Sequence, residues 1–185
     1  MQWHATGTLT AEPALQHPQL LAAPVRDALR RLDPQLAERI GVAAIDPALA
    51  DTADFCARYR VAPDASANCV VIKGKRGGEV RFAACMVLAT TRADVNGVVR
   101  RRLDARTASF APMDEAVAIS GMEYGGITPI GLPLDWPILI DAAVADAGEV
   151  VIGSGIRGSK LFLPASSLLT LPNAEVIEGL ARVVV

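Results

Sequence analysis

The chain has 185 residues, enough for one domain with a real core, and 18 basic against 20 acidic residues leave a net charge of −2. That balance excludes a protein coated in positive charge for nucleic acid, leaving room only for a local basic patch. Half the residues are hydrophobic and only 4% aromatic, so the core is expected to be Val, Ile, Leu and Ala.

No apolar run approaches the roughly 18 residues of a membrane span, and Met-Gln-Trp-His lacks the start of a secretory signal. The expectation is a cytoplasmic protein with no membrane association. Cys56, Cys69 and Cys85 are odd in number, without Cys-x-x-Cys spacing, which favours reduced thiols over disulfides or a metal site. The histidines, His4 and His17, both lie near the N-terminus, a poor basis for a zinc site or a Ser/His/Asp triad. No metal or cofactor is therefore expected.

Residues 1–24 carry Pro13, Pro18 and Pro24 and no clear period. Trp3 to Leu9 is a candidate edge strand, and the remainder reads as an arm across the body. Val25, Ala28, Leu29, Leu32, Leu36 and Ile40 have helical spacing, interrupted by Pro34, so a kink or two short helices are predicted. Thr52 opens a helix to about Tyr59, with Phe55, Cys56 and Tyr59 inward. Ala67 to Ile72 and Val80 to Thr90 form a predicted hairpin around Lys73-Gly-Lys-Arg-Gly-Gly78. Asp94 caps a helix to about Leu103, and Thr107 to Phe110 is a short strand. Pro112 starts a helix with Asp114 and Glu115 in its first turn, ending near Ser120.

Gly121-Met-Glu-Tyr-Gly-Gly-Ile-Thr-Pro-Ile-Gly131 follows. Four glycines and a proline in eleven residues cannot be a helix interior, so a stiff, tightly turned loop is expected. Its amides at Gly125, Gly126 and Ile127 could point into a pocket and suit a carbonyl or developing oxyanion. The competing reading is a structural turn between strands. Trp136 to Ile140 is a buried strand stopping at Asp141, which can cap the helix Ala142 to Ala147. Val150 to Ile152 and Lys160 to Leu163 are strands, Pro164 opens a last short helix, and Val176 to Val185 closes the chain. Hairpins mixed with irregular strand–helix alternation favour a mixed, largely antiparallel sheet with surrounding helices.

Gly153-Ser-Gly-Ile-Arg-Gly158 matches a dinucleotide fingerprint in letters only. It runs into a strand, whereas the true motif opens a helix, so a tight turn is favoured. Arg100, Arg101 and Arg102, with Arg92 and Arg106 nearby, form a basic cluster. Successive helical residues lie about 100° apart, so the three arginines fan out over a solvated helix end or a footing for a nucleic-acid backbone.

In order and spacing, Gly121 to Gly131, Pro137-Ile-Leu-Ile-Asp141 and Gly155-Ile-Arg-Gly158 resemble the YbaK/EbsC aminoacyl-tRNA deacylases. These are related to the editing domain inserted in bacterial prolyl-tRNA synthetases. The resemblance covers about residues 50–182. It divides the chain into a YbaK-like editing domain, 49–185, and an added N-terminal extension, 1–48. It implies a trans-editing hydrolase, free of metal and cofactor, that cleaves the ester joining a wrong amino acid to the 3′ end of a tRNA. By resemblance, the Gly125, Gly126 and Ile127 amides hold the substrate carbonyl, and a hydroxyl of the terminal ribose assists the attacking water. Thr128, Pro129 and Gly131 shape the loop, and Asp141, Gly155 and Arg157 complete the substrate-binding set.

The chain departs from the family at Asn68, which stands where relatives carry a lysine that positions the aminoacyl adenosine. Lys73, five residues on, falls on the opposite strand face. Many relatives carry an acidic residue where this chain has Lys160. Lys160 is therefore expected to supply the cation while Asn68 offers amide hydrogen bonds. On that basis Gly126→Val is expected to reduce hydrolysis far more than stability. The alternative is a non-catalytic binding module on the same scaffold, recognising an amino-acid-like or nucleotide ligand. Neither the amino acid nor the oligomeric state is encoded legibly.

Overall fold

The computed structural model describes residues 2–183. Trp3 to Leu9 turns instead of forming a strand. A Cβ at Gly7 would lie 2.1 Å from the Tyr59 carbonyl. That close approach lets the Thr8 N–H reach the same oxygen at 2.8 Å. Trp3 is buried, its indole N–H donating to the Arg39 carbonyl at 2.9 Å. Pairing falls instead to β1 (Glu12–Pro13) and β2 (Gly41–Ala44). Pro34 breaks the expected helix into α1 (Ala23–Arg31) and α2 (Pro34–Ala37), and Asp33 caps the second by accepting from the Gln35 N–H at 2.9 Å. α3 (Thr52–Tyr59) follows the sequence pattern and ends at Arg60 in the left-handed region, φ 56°.

β3 (Ala67–Arg76) and β4 (Glu79–Leu88) form the predicted hairpin, longer than expected because the turn contracts to Gly77 and Gly78, at φ 57° and 89°. Paired positive φ matches the twist of the flanking strands. β5 (Thr91–Ala93) leads to Asp94, whose carboxylate accepts from the Gly97 N–H at 3.0 Å and starts a π turn, Val95–Val99, running into α4 (Arg100–Arg102). Next come β6 (Thr107–Phe110), α5 (Met113–Ser120), β7 (Ile138–Asp141), α6 (Ala142–Ala145), β8 (Glu149–Gly153) and β9 (Ser159–Pro164). A 3-10 turn, Ala165–Thr170, precedes β10 (Ala174–Ile177) and β11 (Ala181–Val183). The closing segment expected at Val176–Val185 is thus two strands, and its last two residues lie outside the described residues.

The strands form a four-stranded antiparallel sheet, β1-β2-β9-β8, and a five-stranded mixed sheet, β10-β7-β4-β3-β6. Among the described strand pairs, β10/β7 and β7/β4 are parallel and the rest antiparallel. β11 pairs with β5, and a parallel bridge from Ser66 to Val151 ties the two larger sheets together. This is the mixed, largely antiparallel architecture that the sequence pattern predicts. Its main core joins Val25 and Leu29 of α1 to Met86, Ile140, Ile152 and Leu161 from the sheets. β6 pairs with β3 only from Ile72 to Lys75, with one further bond to the Val71 carbonyl, so the Ala67–Val70 edge of β3 is left open beside β8. The candidate site occupies that notch.

Candidate functional site

The glycine loop is built by backbone pressed against backbone. Gly126 donates its N–H to the Glu123 carbonyl at 2.9 Å and accepts from the Gly155 N–H at 2.7 Å, while Gly155 accepts from the Glu123 N–H at 2.8 Å. A Cβ at Gly126 would sit 2.6 Å from Ile156 main-chain atoms, and one at Gly153 would sit 2.3 Å from the Gly126 oxygen. Side chains at either position would force the two loops apart. Two expectations therefore change. The Gly126 amide is committed inside the loop and cannot face an acyl group, and Gly126→Val would disrupt packing before it tested chemistry. Gly125, at φ 83°, and Ile127 flank that anchor. No hydrogen bond among the described residues uses either of their N–H groups, and both residues line one cavity.

That cavity holds about 330 Å³. Its walls are the open edge of β3, the N-terminus of α3, the loop at Tyr124–Ile127 and β8 with Lys160 of β9. Lys160 is buried; its Nζ donates to the Ala50 carbonyl at 3.0 Å and lies 5.2 Å from the centre of the Phe55 ring. Desolvation pulls its pKa down to about 8, with Cys56 and Asp51 holding it up and Arg157 pushing it further down. Asn68 faces the same cavity, its Oδ1 accepting from the Thr52 hydroxyl at 2.5 Å. That contact fixes the amide so that its NH₂ group remains available to a ligand. Lys73 lies away from the cavity, ion-paired with Glu115 at 2.6 Å. Cys69 lines the wall, but desolvation, with Cys85 alongside, pushes its thiol up and keeps it protonated.

Residues 46–171 match the model of the aminoacyl-tRNA editing domain family. The chain belongs to that family. Among solved structures, a proposed trans-editing enzyme for prolyl-tRNA synthetase is 18% identical, with a TM-score of 0.70 over 85% of this chain and 97% of its own. A chain from work on grafting epitopes onto scaffold proteins is 19% identical, with a TM-score of 0.70 over 85% of this chain and 95% of its own. The hypothetical protein APE2540 is 17% identical, with a TM-score of 0.66 over 76% of this chain and 90% of its own. At these identities the likenesses speak to the fold. No curated protein matches the sequence.

Within this editing domain, the sequence-derived site residues separate into two groups. Gly125, Ile127, Asn68 and Lys160 converge on the cavity, whereas Arg157 does not line it and instead contacts Tyr124 and Asp51 of its wall. The Arg157 guanidinium reaches the carbonyls of Tyr124 and Pro47, each at 3.2 Å, and lies 3.7 Å from the Asp51 carboxylate. It clamps the glycine loop to the start of α3. Thr128, Pro129, Gly131, Gly155 and Asp141 do not line the cavity. Thr128 is buried with its hydroxyl unpaired, Pro129 is buried, and Gly131, at φ 89°, leaves room for the Pro24 carbonyl.

Asp141 is structural: its carboxylate accepts from the Ala143 N–H at 3.0 Å and the Ala181 N–H at 2.8 Å, tying α6 to β11. Asp141→Ala is expected to cost about 2 kcal/mol in denaturant unfolding while leaving hydrolysis per folded molecule unchanged. Asp51, Thr52 and Phe110 also face the cavity from outside any motif, and Tyr124 does so from within the glycine loop. Asp51 sits at the N-cap of α3 yet makes no capping bond; its carboxylate instead faces the Arg157 guanidinium at 3.7 Å. Among the described residues, no cluster of three His, Cys, Asp or Glu side chains could hold a metal ion, and no helix is long and apolar enough to cross a membrane.

Proposed function

We propose that this editing domain is a trans-acting deacylase that hydrolyses the ester linking a small, wrongly attached amino acid to the 3′ end of a tRNA. The observation that carries the reading is the pair of uncommitted amides, Gly125 and Ile127, in a cavity that also holds the buried Lys160 ammonium. The ester carbonyl oxygen accepts from both amides. As water adds to the carbonyl carbon, charge grows on that oxygen, where fixed donors stabilise it without reorganisation. Lys160 adds positive charge in a site of low dielectric. The ribose hydroxyl beside the ester orients the water, as the family resemblance implies. The carbon–oxygen bond to the ribose then breaks, the ribose oxygen takes a proton, and free amino acid and tRNA leave.

Asn68 supplies neutral hydrogen-bond donors on the wall where relatives carry a lysine. The Asp51 carboxylate offers a partner for the α-ammonium group of the substrate. At about 330 Å³ the cavity lies at the lower end of the roughly 300–1,000 Å³ typical of small-molecule sites, which suits alanyl, seryl or cysteinyl groups. Selectivity among these has to be modest, because one methylene is worth only about 1–3 kcal/mol. Arg100, Arg101 and Arg106 gather around a surface depression with Arg76, which is paired to Asp104; among the described residues the first three form no ion pairs, whereas Arg102 is tied to Glu175. Arg76, at that end of β3, lies roughly 26 Å from Asn68, at eight residues of about 3.3 Å each. The depression forms the footing for the tRNA backbone.

A panel of mis-acylated tRNAs provides the test. Release of a small amino acid above the spontaneous rate is expected from at least one. If every ester survives at the background rate while the tRNA binds, the domain is a binding module and the deacylase reading fails.

A further inference from the structure

Phe110 ends β6 and is 60% exposed, an unusual position for an aromatic residue in a chain with so few. It is held there by main-chain pairing: Phe110 sits opposite Ile72, and the Ala111 N–H donates to the Val71 carbonyl at 2.8 Å. The ring forms part of two walls. On one side is the cavity of Lys160; on the other is an open groove of about 660 Å³ containing Thr90, Thr91 and Arg92. Asn68 and Val70 border both spaces, so the two lie side by side about Phe110. Arg92 is exposed and forms no ion pair among the described residues, and no carboxylate side chain among them lines the groove. The cavity wall also carries Tyr124, 55% exposed.

We propose that this second groove binds the unpaired RNA strand leading to the esterified terminal nucleotide, with Phe110 as a stacking platform and Arg92 as a phosphate contact. The inference rests on the deacylase reading for the position of the terminal ribose. Its chemistry is general: single-stranded nucleic acid is held by aromatic faces that stack bases and by cations that follow the backbone. A groove with an exposed ring, a free guanidinium and hydroxyls, lacking any side-chain carboxylate, suits a polyanion with flat bases. It is poorly suited to an apolar helix or a basic peptide. Because stacking tolerates any base, the groove fixes the path of the strand and leaves amino-acid selection to the cavity.

The experiment uses the full chain and an unacylated RNA minihelix with a four-nucleotide single-stranded 3′ end. 2-Aminopurine replaces the base next to the terminal one. Binding is expected to quench its fluorescence. Phe110→Leu is expected to abolish most of the quenching and weaken binding about tenfold. Arg92→Ala is expected to weaken binding and lower the slope of log affinity against log salt by about 0.7. Leu134→Ala, which removes an exposed apolar side chain elsewhere, serves as the control and is expected to change neither. Wild-type binding and quenching in both Phe110→Leu and Arg92→Ala would overturn the proposal, as would failure of the wild-type chain to bind the strand. Because the RNA carries no ester, strand binding that depends on Phe110 upholds the groove even if hydrolysis is absent. Hydrolysis without that dependence removes the groove and leaves the deacylase.

Discussion

Replacing the Ile127 amide by a backbone ester, which deletes one N–H and leaves the side chain in place, is expected to lower the hydrolysis rate about 10²–10³-fold. The same exchange at Gly125 is expected to act similarly, since neither N–H is used within the fold. Both belong on the kcat side under single-turnover conditions, because the donors matter most as charge develops on the substrate oxygen. The Gly126 ester is the contrast. Its N–H already donates to the Glu123 carbonyl, so its loss is expected to cost about 1 kcal/mol of stability and little rate per folded molecule. A large kinetic effect at 126 with none at 125 or 127 would reverse the assignment of donors.

Lys160→Met is expected to reduce hydrolysis at least about 100-fold while leaving the protein as stable as the wild type at pH 7, or more so. The reason is the buried ammonium. In the folded chain Lys160 releases its proton near pH 8, whereas in the unfolded chain it holds the proton to an ordinary lysine pKa near 10.5. Between those values the unfolded state binds more protons, so stability rises with pH across this window. Below about pH 8 the burial penalty is fully present, on the order of 3 kcal/mol. Methionine removes that penalty but strands the Ala50 carbonyl, which offsets part of the gain. Denaturant unfolding of both proteins from pH 7 to 11 should therefore show the wild type gaining on the variant above pH 8. Catalysis should move in the other direction: with spontaneous hydrolysis subtracted, the enzymatic rate is expected to fall as Lys160 loses its charge above about pH 8. A rate that rises through that titration would make Lys160 a base and contradict its assignment as a cation.

Local chemistry was what the sequence showed most clearly. Gly121 ends α5 at φ 66°, Gly77 and Gly78 turn the hairpin, and Pro34 divides two helices, because each effect depends only on adjacent residues. The glycine loop was visible for the same reason. The direction of its amides was not, because the fate of the Gly126 N–H depends on the loop at 153–156 packing against it. Strand β2 escaped notice because Gly-Val-Ala-Ala is too short to show alternation, and only its pairing with β9 makes it a strand. Thr52 looked like a helix cap, yet its hydroxyl bonds Asn68 sixteen residues away. Phe110 was visible only as the end of a short strand, since exposure at a sheet edge is set by how far β6 runs along β3. Asp141 was doubly legible, as a cap from its position and as a ligand from the resemblance, and the geometry supports the cap.

The most direct test is a crystal structure of this chain with a non-hydrolysable analogue, an alanyl group joined to the terminal adenosine through an amide in place of the ester. The acyl oxygen is expected within about 2.7–3.1 Å of both the Gly125 and Ile127 nitrogens, with the Lys160 ammonium against the same cavity wall. An acyl group seated elsewhere, or an oxygen turned away from both amides, would contradict the account.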